Sequence, residues 1–352
     1  MKEVDVRQFS SDKILKHLDR VNEWLEGGNP SPITVELDVT NRCNHKCPEC
    51  VVNYFRVADS SFLPLPLAKS IVEQLADKAK GVIFTGGGEP LCYPNILEIV
   101  KLAKNKGLDL GFITNGSLLN DESAEIILEN CTWMRVSLDA GSPEIFKLTH
   151  GMGSGEFNKV VDNVALLVRT KKKLNSKCTV GVGFLTSEKS VSDMVKSAGL
   201  IKQLGVDYLQ FRPLQIHQGG KFDYHWIDVH DRVEECLKYS GNGFKVLFSQ
   251  HKYEMAHDSQ YGRYYGKCYG HQFATVIAAS GKMYICCHLR GYEKYCLGDL
   301  RVDSFEEIWN SEQRRKVIES IDFSDCIPLC RDNTFNQILW NIKQPREHVN
   351  FL

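Results

Sequence analysis

The sequence has no apolar run long enough to cross a bilayer, which sets aside a membrane-embedded role. It has no excess of either charge: 43 Lys and Arg stand against 44 Asp and Glu, a formal net charge of −1. A chain so balanced projects no long-range positive field to hold a nucleic-acid backbone. The three lysines at 171–173 read as a solvated helix end. The opening residues are charged and lack the apolar centre of a secretory signal, so the expectation is a soluble cytoplasmic protein. Low-complexity tracts and repeats beyond a strand–helix rhythm are missing as well. Cysteine, in contrast, is abundant: thirteen in 352 residues. Without a secretory signal these argue against a disulfide framework and for metal binding or chemistry. They fall into two groups, near 43–50 and 268–330, with single cysteines between.

The length allows two domains, or one large α/β domain with an appendage, and 43% apolar residues can bury a sizeable core. Ile14, Leu15, Leu18, Val21, Trp24 and Leu25 keep helical spacing over 11–27, and Gly27 and Gly28 stop it. Residues 29–32 form a Pro-rich linker. Strands are then expected at 33–39, 81–85, 110–114, 133–138, 178–185 and 207–212. Helices are expected near 67–79, 94–106, 119–129, 142–149, 157–171 and 190–204. Repeated βα units imply a parallel sheet with right-handed crossovers. Strands that end in Gly, Asn, Asp or Ser suit a partial (β/α)6 TIM-like barrel with its site at the strand C-termini. The rhythm breaks after 213. Residues 214–267 read as a connecting segment rich in His, Tyr and Gln. A small C-terminal domain over 268–352 follows. It holds a β-hairpin turning at Ser280 and Gly281, a helix at 304–321 capped by Ser304 with Glu307, and a last helix at 334–343.

Cys43, Cys47 and Cys50 form C-x3-C-x2-C on a loop directly after the first strand. Three thiolates so spaced can hold three corners of a cubane. A [4Fe–4S] cluster takes four Cys ligands when closed, so a fourth iron would stay open to a substrate or cofactor. A zinc site is the alternative, but zinc knuckles pair C-x2-C with a second nearby pair, and none lies within the next forty residues.

This motif and its place resemble the radical S-adenosylmethionine (SAM) superfamily. Further residues carry the resemblance over about 33–213. Gly86, Gly87, Gly88 and Glu89 end the second strand and are similar to the family's GGE segment, which contacts the amino group of SAM. Glycines admit a close backbone approach, and Glu89 brings negative charge to an ammonium. Asn115, Ser137 and Asp139, at the ends of the third and fourth strands, look like segments lining the SAM ribose and cavity. Arg212, ending the sixth, could face a carboxylate of SAM or of substrate. Glu49 departs from the pattern, since an aromatic residue commonly stands there near the adenine. The resemblance implies that SAM binds the open iron and that one electron yields a 5′-deoxyadenosyl radical, which abstracts hydrogen from substrate. It also implies a one-electron donor such as flavodoxin or ferredoxin.

The second group resembles the SPASM and twitch extensions of such enzymes. Cys268 and Cys286 flank a hairpin glycine, Gly281, and Cys326 and Cys330 could complete four ligands. The longer C-x2-C-x5-C-x3-C run of two-cluster SPASM domains is absent, so one auxiliary [4Fe–4S] cluster is expected. Cys287 or Cys296 could replace a ligand, although neighbours on a strand face opposite ways. A structural zinc site remains the alternative for the group.

The remaining signals are weaker. Gly151, Gly153 and Gly155 follow a helix and lack the full nucleotide-loop spacing, so a plain loop is expected. Cys131, Cys178 and Cys236 read as core, and Cys92, just past the GGE segment, is a candidate hydrogen donor. His217, His225 and His230 read as loop histidines, with His217 a candidate acid or base. Tyr261, Tyr264, Tyr265 and Tyr269 could pack over the auxiliary cluster or stack on substrate. A closed auxiliary cluster can accept an electron, and twitch enzymes that oxidise aminocyclitol or sugar alcohols give a precedent by resemblance. The leading expectation is therefore an oxidoreductase acting on a small, hydroxyl-rich metabolite such as a sugar, aminocyclitol or nucleoside. The alternatives are a peptide-modifying epimerase or crosslinking maturase, and a non-catalytic iron–sulfur or zinc protein.

Overall fold

The computed structural model describes residues 10–218, 220–224, 226–257, 263–344 and 347–351; His225 and Tyr261 lie outside them. Six parallel strands run in chain order through the sheet: β1 (Thr34–Asp38), β2 (Gly81–Thr85), β3 (Asp109–Thr114), β4 (Trp133–Ser137), β5 (Thr179–Thr186) and β6 (Tyr208–Pro213). Helices between them pack on the outer face, where Val35, Leu37, Val82, Phe84, Met134, Val136 and Phe211 join one large apolar core. A strand turns alternate residues to opposite faces. The inner face accordingly carries Glu36 and Asp38 of β1, Arg135 and Ser137 of β4, and Arg212 of β6, on strands whose other residues are buried. This is the expected partial barrel.

Both edges of that barrel are extended. The segment after β6 first forms a separate hairpin, β7 (Gln215–Gln218) with β8 (Lys221–Tyr224). After the helix His230–Leu237, β9 (Lys245–Phe248) adds in parallel to β6, and the helix Gln250–His257 follows. Four-residue elements rich in His, Tyr and Gln carry too little periodicity to stand out in the sequence. At the other edge, β10 (Ala274–Ile277) pairs in parallel with β1. The hairpin then continues through β11 (Lys282–Tyr284) and β12 (Cys296–Asp299). The C-terminal unit thus shares a ten-stranded sheet with the barrel instead of hanging beside it. Strand pairing there covers backbone groups that an open β1 edge would leave bare.

The turn at Ser280 and Gly281 and the Ser304–Glu307 capping box stand where the sequence puts them. The single helix expected at 304–321 is two, Phe305–Asn310 and Glu312–Glu319. Ser311 ends the first and caps the second, its hydroxyl accepting from the Arg314 N–H at 3.0 Å. Among the described residues no helix is long and apolar enough to cross a membrane.

Candidate functional site

The cysteine loop leaves β1 and is held from several sides. The Lys46 N–H donates to the His150 carbonyl at 3.2 Å, and the Asn53 side chain donates to the Cys47 carbonyl at 3.2 Å. Cys43, Cys47 and Cys50 are half-buried and free, and their thiols lie within one another's electrostatic reach. Burial pushes the Cys43 and Cys47 thiols up. Two N–H groups lie at Cys43 Sγ, the His45 backbone at 3.4 Å and Asn115 Nδ2 at 4.0 Å. His150 Nδ1 lies 3.8 Å from Cys47 Sγ and 3.2 Å from His45 Nδ1, while His150 Nε2 lies 3.5 Å from Asp139. One atom each of His45, Cys47 and His150 lie within 4.8 Å of one another. Neither histidine stood out in the sequence, since His150 is distant from the loop until the fourth and fifth strands are in place.

The GGGE segment crosses the start of that loop. Gly88 N donates to the Thr40 carbonyl at 3.0 Å, and Glu89 N to the Arg42 carbonyl at 2.9 Å. The chains meet so closely that a Cβ on Gly87 would lie 2.0 Å from Asn41 Oδ1, and one on Gly88 would lie 2.1 Å from the Arg42 carbonyl oxygen. Gly86 precedes them at the end of β2. The Glu89 carboxylate is 3% exposed. It accepts from Thr114 Oγ1 at 2.7 Å, from Asn115 N at 2.7 Å and from Leu91 N at 3.1 Å. Burial raises its pKa to about 7, against those hydrogen bonds. No cation pairs with it among the described residues. A buried carboxylate so placed, within electrostatic reach of Cys43, fits a ligand ammonium.

Asn115 is largely engaged by protein: its Nδ2 donates to Asn44 Oδ1 at 2.9 Å, and its Oδ1 accepts from Ser117. Asp139 is a turn residue at φ 50°, and its carboxylate accepts from Leu185 N at 2.6 Å. Ser137 stands half-buried at the end of β4. Glu49 reaches across the mouth to Lys189 at 2.9 Å.

The C-terminal cysteines gather from three separate places. Cys268 lies before a short turn, with the Gly270 and His271 N–H groups at its sulfur. Cys286 follows β11, and Cys326 and Cys330 lie ahead of the last helix, Asn333–Lys343. Cys268 interacts with Cys326 and Cys330, and Cys286 with Cys326 and Cys330. Burial pushes all four thiols up, Cys268 to about 12. Asn336 of the last helix accepts from the Tyr269 and Gly270 N–H groups and so ties it to the Cys268 turn. Cys287 is within electrostatic reach of Cys286, and also of Arg331, Glu36 and Arg290. Cys296 neighbours Glu293 and Lys282 and shares a small apolar cluster with Cys287.

Two arginines bind this unit to β1 through ion pairs. Arg290 Nη1 donates to both oxygens of Asp38, at 2.8 and 2.6 Å, and Arg331 pairs with Glu36. Against desolvation, Asp38 and Glu36 hold the Arg290 guanidinium above its usual range, and Cys287 and Glu36 do the same for Arg331. The alternating polar residues of β1 and β4 were the available signal for this charged interior.

Cys92 lies against the first loop, its Sγ 3.8 Å from Asn44 Oδ1, with its thiol pushed by burial to about 11. His217 is bound to the Tyr292 hydroxyl at 2.6 Å and stacks on Tyr54 at 4.2 Å, where the first loop, the β7–β8 hairpin and the C-terminal unit meet. His230 is exposed at a helix start. Cys131, Cys178 and Cys236 are core. Tyr265 donates to Asn333 at 2.8 Å, Tyr269 stacks on Trp340, and Tyr264 is exposed. A cavity of about 340 Å³ lies beside the second cysteine set, between Tyr224, Met255, Arg263, Tyr265, Phe323 and Leu329.

Comparison with known proteins agrees with this layout. Residues 37–198 match the Radical SAM superfamily model, and residues 268–332 match the SPASM iron–sulfur cluster-binding domain. An AdoMet-dependent heme synthase of Methanosarcina barkeri is 24% identical over 325 residues, covering 85% of this chain and 88% of that protein. The mycofactocin maturase MftC of Mycobacterium ulcerans is 22% identical over 302 residues, covering 83% and 78%. Among solved structures, Streptococcus suis SuiB bound to precursor peptide SuiA shares the fold with a TM-score of 0.67 at 15% identity, over 88% of this chain and 72% of SuiB.

Proposed function

The chain belongs to the radical SAM superfamily and carries a SPASM domain, and on that premise we propose that it is a peptide-modifying enzyme. The observation that carries this reading is the near full-length likeness to a maturase, MftC. The fold shared with SuiB, solved with its precursor peptide, is compatible with it. The expectation of a sugar or aminocyclitol dehydrogenase is therefore the weaker reading, and net oxidation has no separate support.

In this proposal Cys43, Cys47 and Cys50 hold the SAM-binding [4Fe–4S] cluster, and Cys268, Cys286, Cys326 and Cys330 hold one auxiliary cluster. Their grouping and the N–H donors around Cys43 and Cys268 fit sulfurs that must carry negative charge. When bound, the first cluster and SAM supply one-electron cleavage to a 5′-deoxyadenosyl radical that takes a hydrogen atom from the substrate. Glu89 accepts the SAM ammonium, for which its uncompensated buried carboxylate is placed. Gly86, Gly87 and Gly88 keep the backbone close enough to line that pocket. Asn115, Ser137 and Asp139 shape the adjoining wall. Arg290 and Arg331 seal the C-terminal unit against β1 and keep water from the interior. The electron comes from an external donor such as flavodoxin or ferredoxin.

Anaerobic reconstitution tests the assignment. About eight irons per chain and 5′-deoxyadenosine from SAM plus reductant are expected; about twelve irons would point to two auxiliary clusters. Short peptides should stimulate deoxyadenosine formation. Stimulation by a panel of sugars and aminocyclitols, with none by peptides, would return the reading to a small hydroxyl-rich substrate.

A further inference from the structure

Five cations converge inside the barrel, and they divide into two kinds. Arg290 and Arg331 have carboxylate partners. Arg135, Arg212 and Lys252 form no ion pair with any described residue. Arg135 Nε and Arg212 Nε are buried with no hydrogen-bond partner. Lys252, on the helix Gln250–His257, is 8% exposed. The two arginines are also close together. A Cβ on Gly183 of β5 would lie 3.1 Å from Arg135 Cδ and 3.4 Å from Arg212 Nη2. The bare glycine is what admits both side chains. Like charges crowded in a desolvated interior are costly unless an anion joins them.

We propose that Arg135, Arg212 and Lys252 form a carboxylate-binding subsite that anchors the substrate between the two cysteine groups. The proposal rests on the peptide reading above, and it narrows the substrate to one presenting an Asp or Glu side chain or a terminal carboxylate. The position suits this role. Asp139, past the end of β4, is within electrostatic reach of both arginines, and Lys252 is within reach of Arg212 and of Cys330 and Asp332 of the auxiliary set. A guanidinium fork offers paired N–H donors matched to a carboxylate, and a lysine adds a point charge. The carboxylate of SAM is the other source of such an anion. The SAM affinity of the variants below separates that source from a substrate carboxylate.

The test uses the reconstituted holoenzyme with SAM bound, and glutarate against glutaramide as probes in isothermal titration. Glutarate should bind saturably and glutaramide should not. Arg212→Met and Lys252→Met should each weaken glutarate at least about tenfold, with iron content and SAM affinity unchanged. Glutarate binding no better than glutaramide in the unmodified enzyme would overturn the proposal without any variant. Loss of SAM affinity in Arg212→Met, with glutarate binding intact, would overturn it by assigning the trio to SAM. Peptide-stimulated deoxyadenosine formation is measured separately, so a failure of the peptide reading is distinguishable from a failure of this subsite.

Discussion

The two cysteine groups collect thiols in opposite ways. The first takes three from a single loop between Cys43 and Cys50, braced by neighbouring backbone. The second takes four from a stretch running from Cys268 to Cys330, and meets only because β10 seats on β1 and Asn336 ties the last helix to the Cys268 turn. A local ligand set depends on loop geometry. A dispersed one depends on the tertiary fold, and in return stabilises it, because a bound cluster acts as a crosslink between distant segments.

The sharpest test of that contrast replaces one ligand in each set. Cys47→Ser should reduce 5′-deoxyadenosine to background and bring iron to about four per chain, with little change in thermal stability. Cys330→Ser should also bring iron to about four but retain uncoupled SAM cleavage while lowering Tm. Equal Tm losses in the two variants would break the comparison.

Next in size is the docking of the second unit. Arg290→Met strands the Asp38 carboxylate in a buried site and should cost about 3–5 kcal/mol, read by denaturant unfolding. Adding Asp38→Leu should recover most of it. If the double variant is as unstable as the single, the pair is not what fixes the unit to β1.

A pH experiment addresses the first site alone. In the metal-free protein Glu89 keeps its proton up to about pH 7, whereas its ordinary value is 4.5. The folded chain therefore binds more protons than the unfolded chain between those values, so this group lowers stability as pH rises from about 4.5 to 7. Glu89→Gln should flatten that part of the stability profile. An unchanged slope would mean the carboxylate is ionised throughout.

The smallest effect is expected where the second group has a cysteine to spare. Cys296→Ala should leave the iron content unchanged and cost no more than about 1 kcal/mol. Loss of auxiliary iron would make Cys296 a ligand and remove one of the four proposed here.

Much of this was legible in advance for a stated physical reason. The six βα units follow from apolar runs separated by helical periodicity, and the C-x3-C-x2-C loop and GGGE turn are contiguous, so spacing alone displays them. The capping box at Ser304 and Glu307 is equally local. The short elements between β6 and β10 were not legible, because four residues such as those of β9 carry no usable period. His150 beside Cys47, and Glu49 with Lys189, pair residues far apart in sequence. Cys92 follows the GGGE motif in sequence, whereas its neighbour Asn44 belongs to a loop 48 residues earlier.

By itself, then, the sequence determined the kind of chemistry available: thiols at cluster spacing, a glycine-rich turn with one acid, and a parallel barrel to present them at strand ends. The tertiary structure decided which distant residues share an interior. It placed Arg290 and Arg331 against carboxylates of β1 and left Arg135, Arg212 and Lys252 in no ion pair with any described residue. Backbone pattern is set within a few residues, whereas charge compensation is settled only when strands and helices from opposite ends of the chain close on the same space.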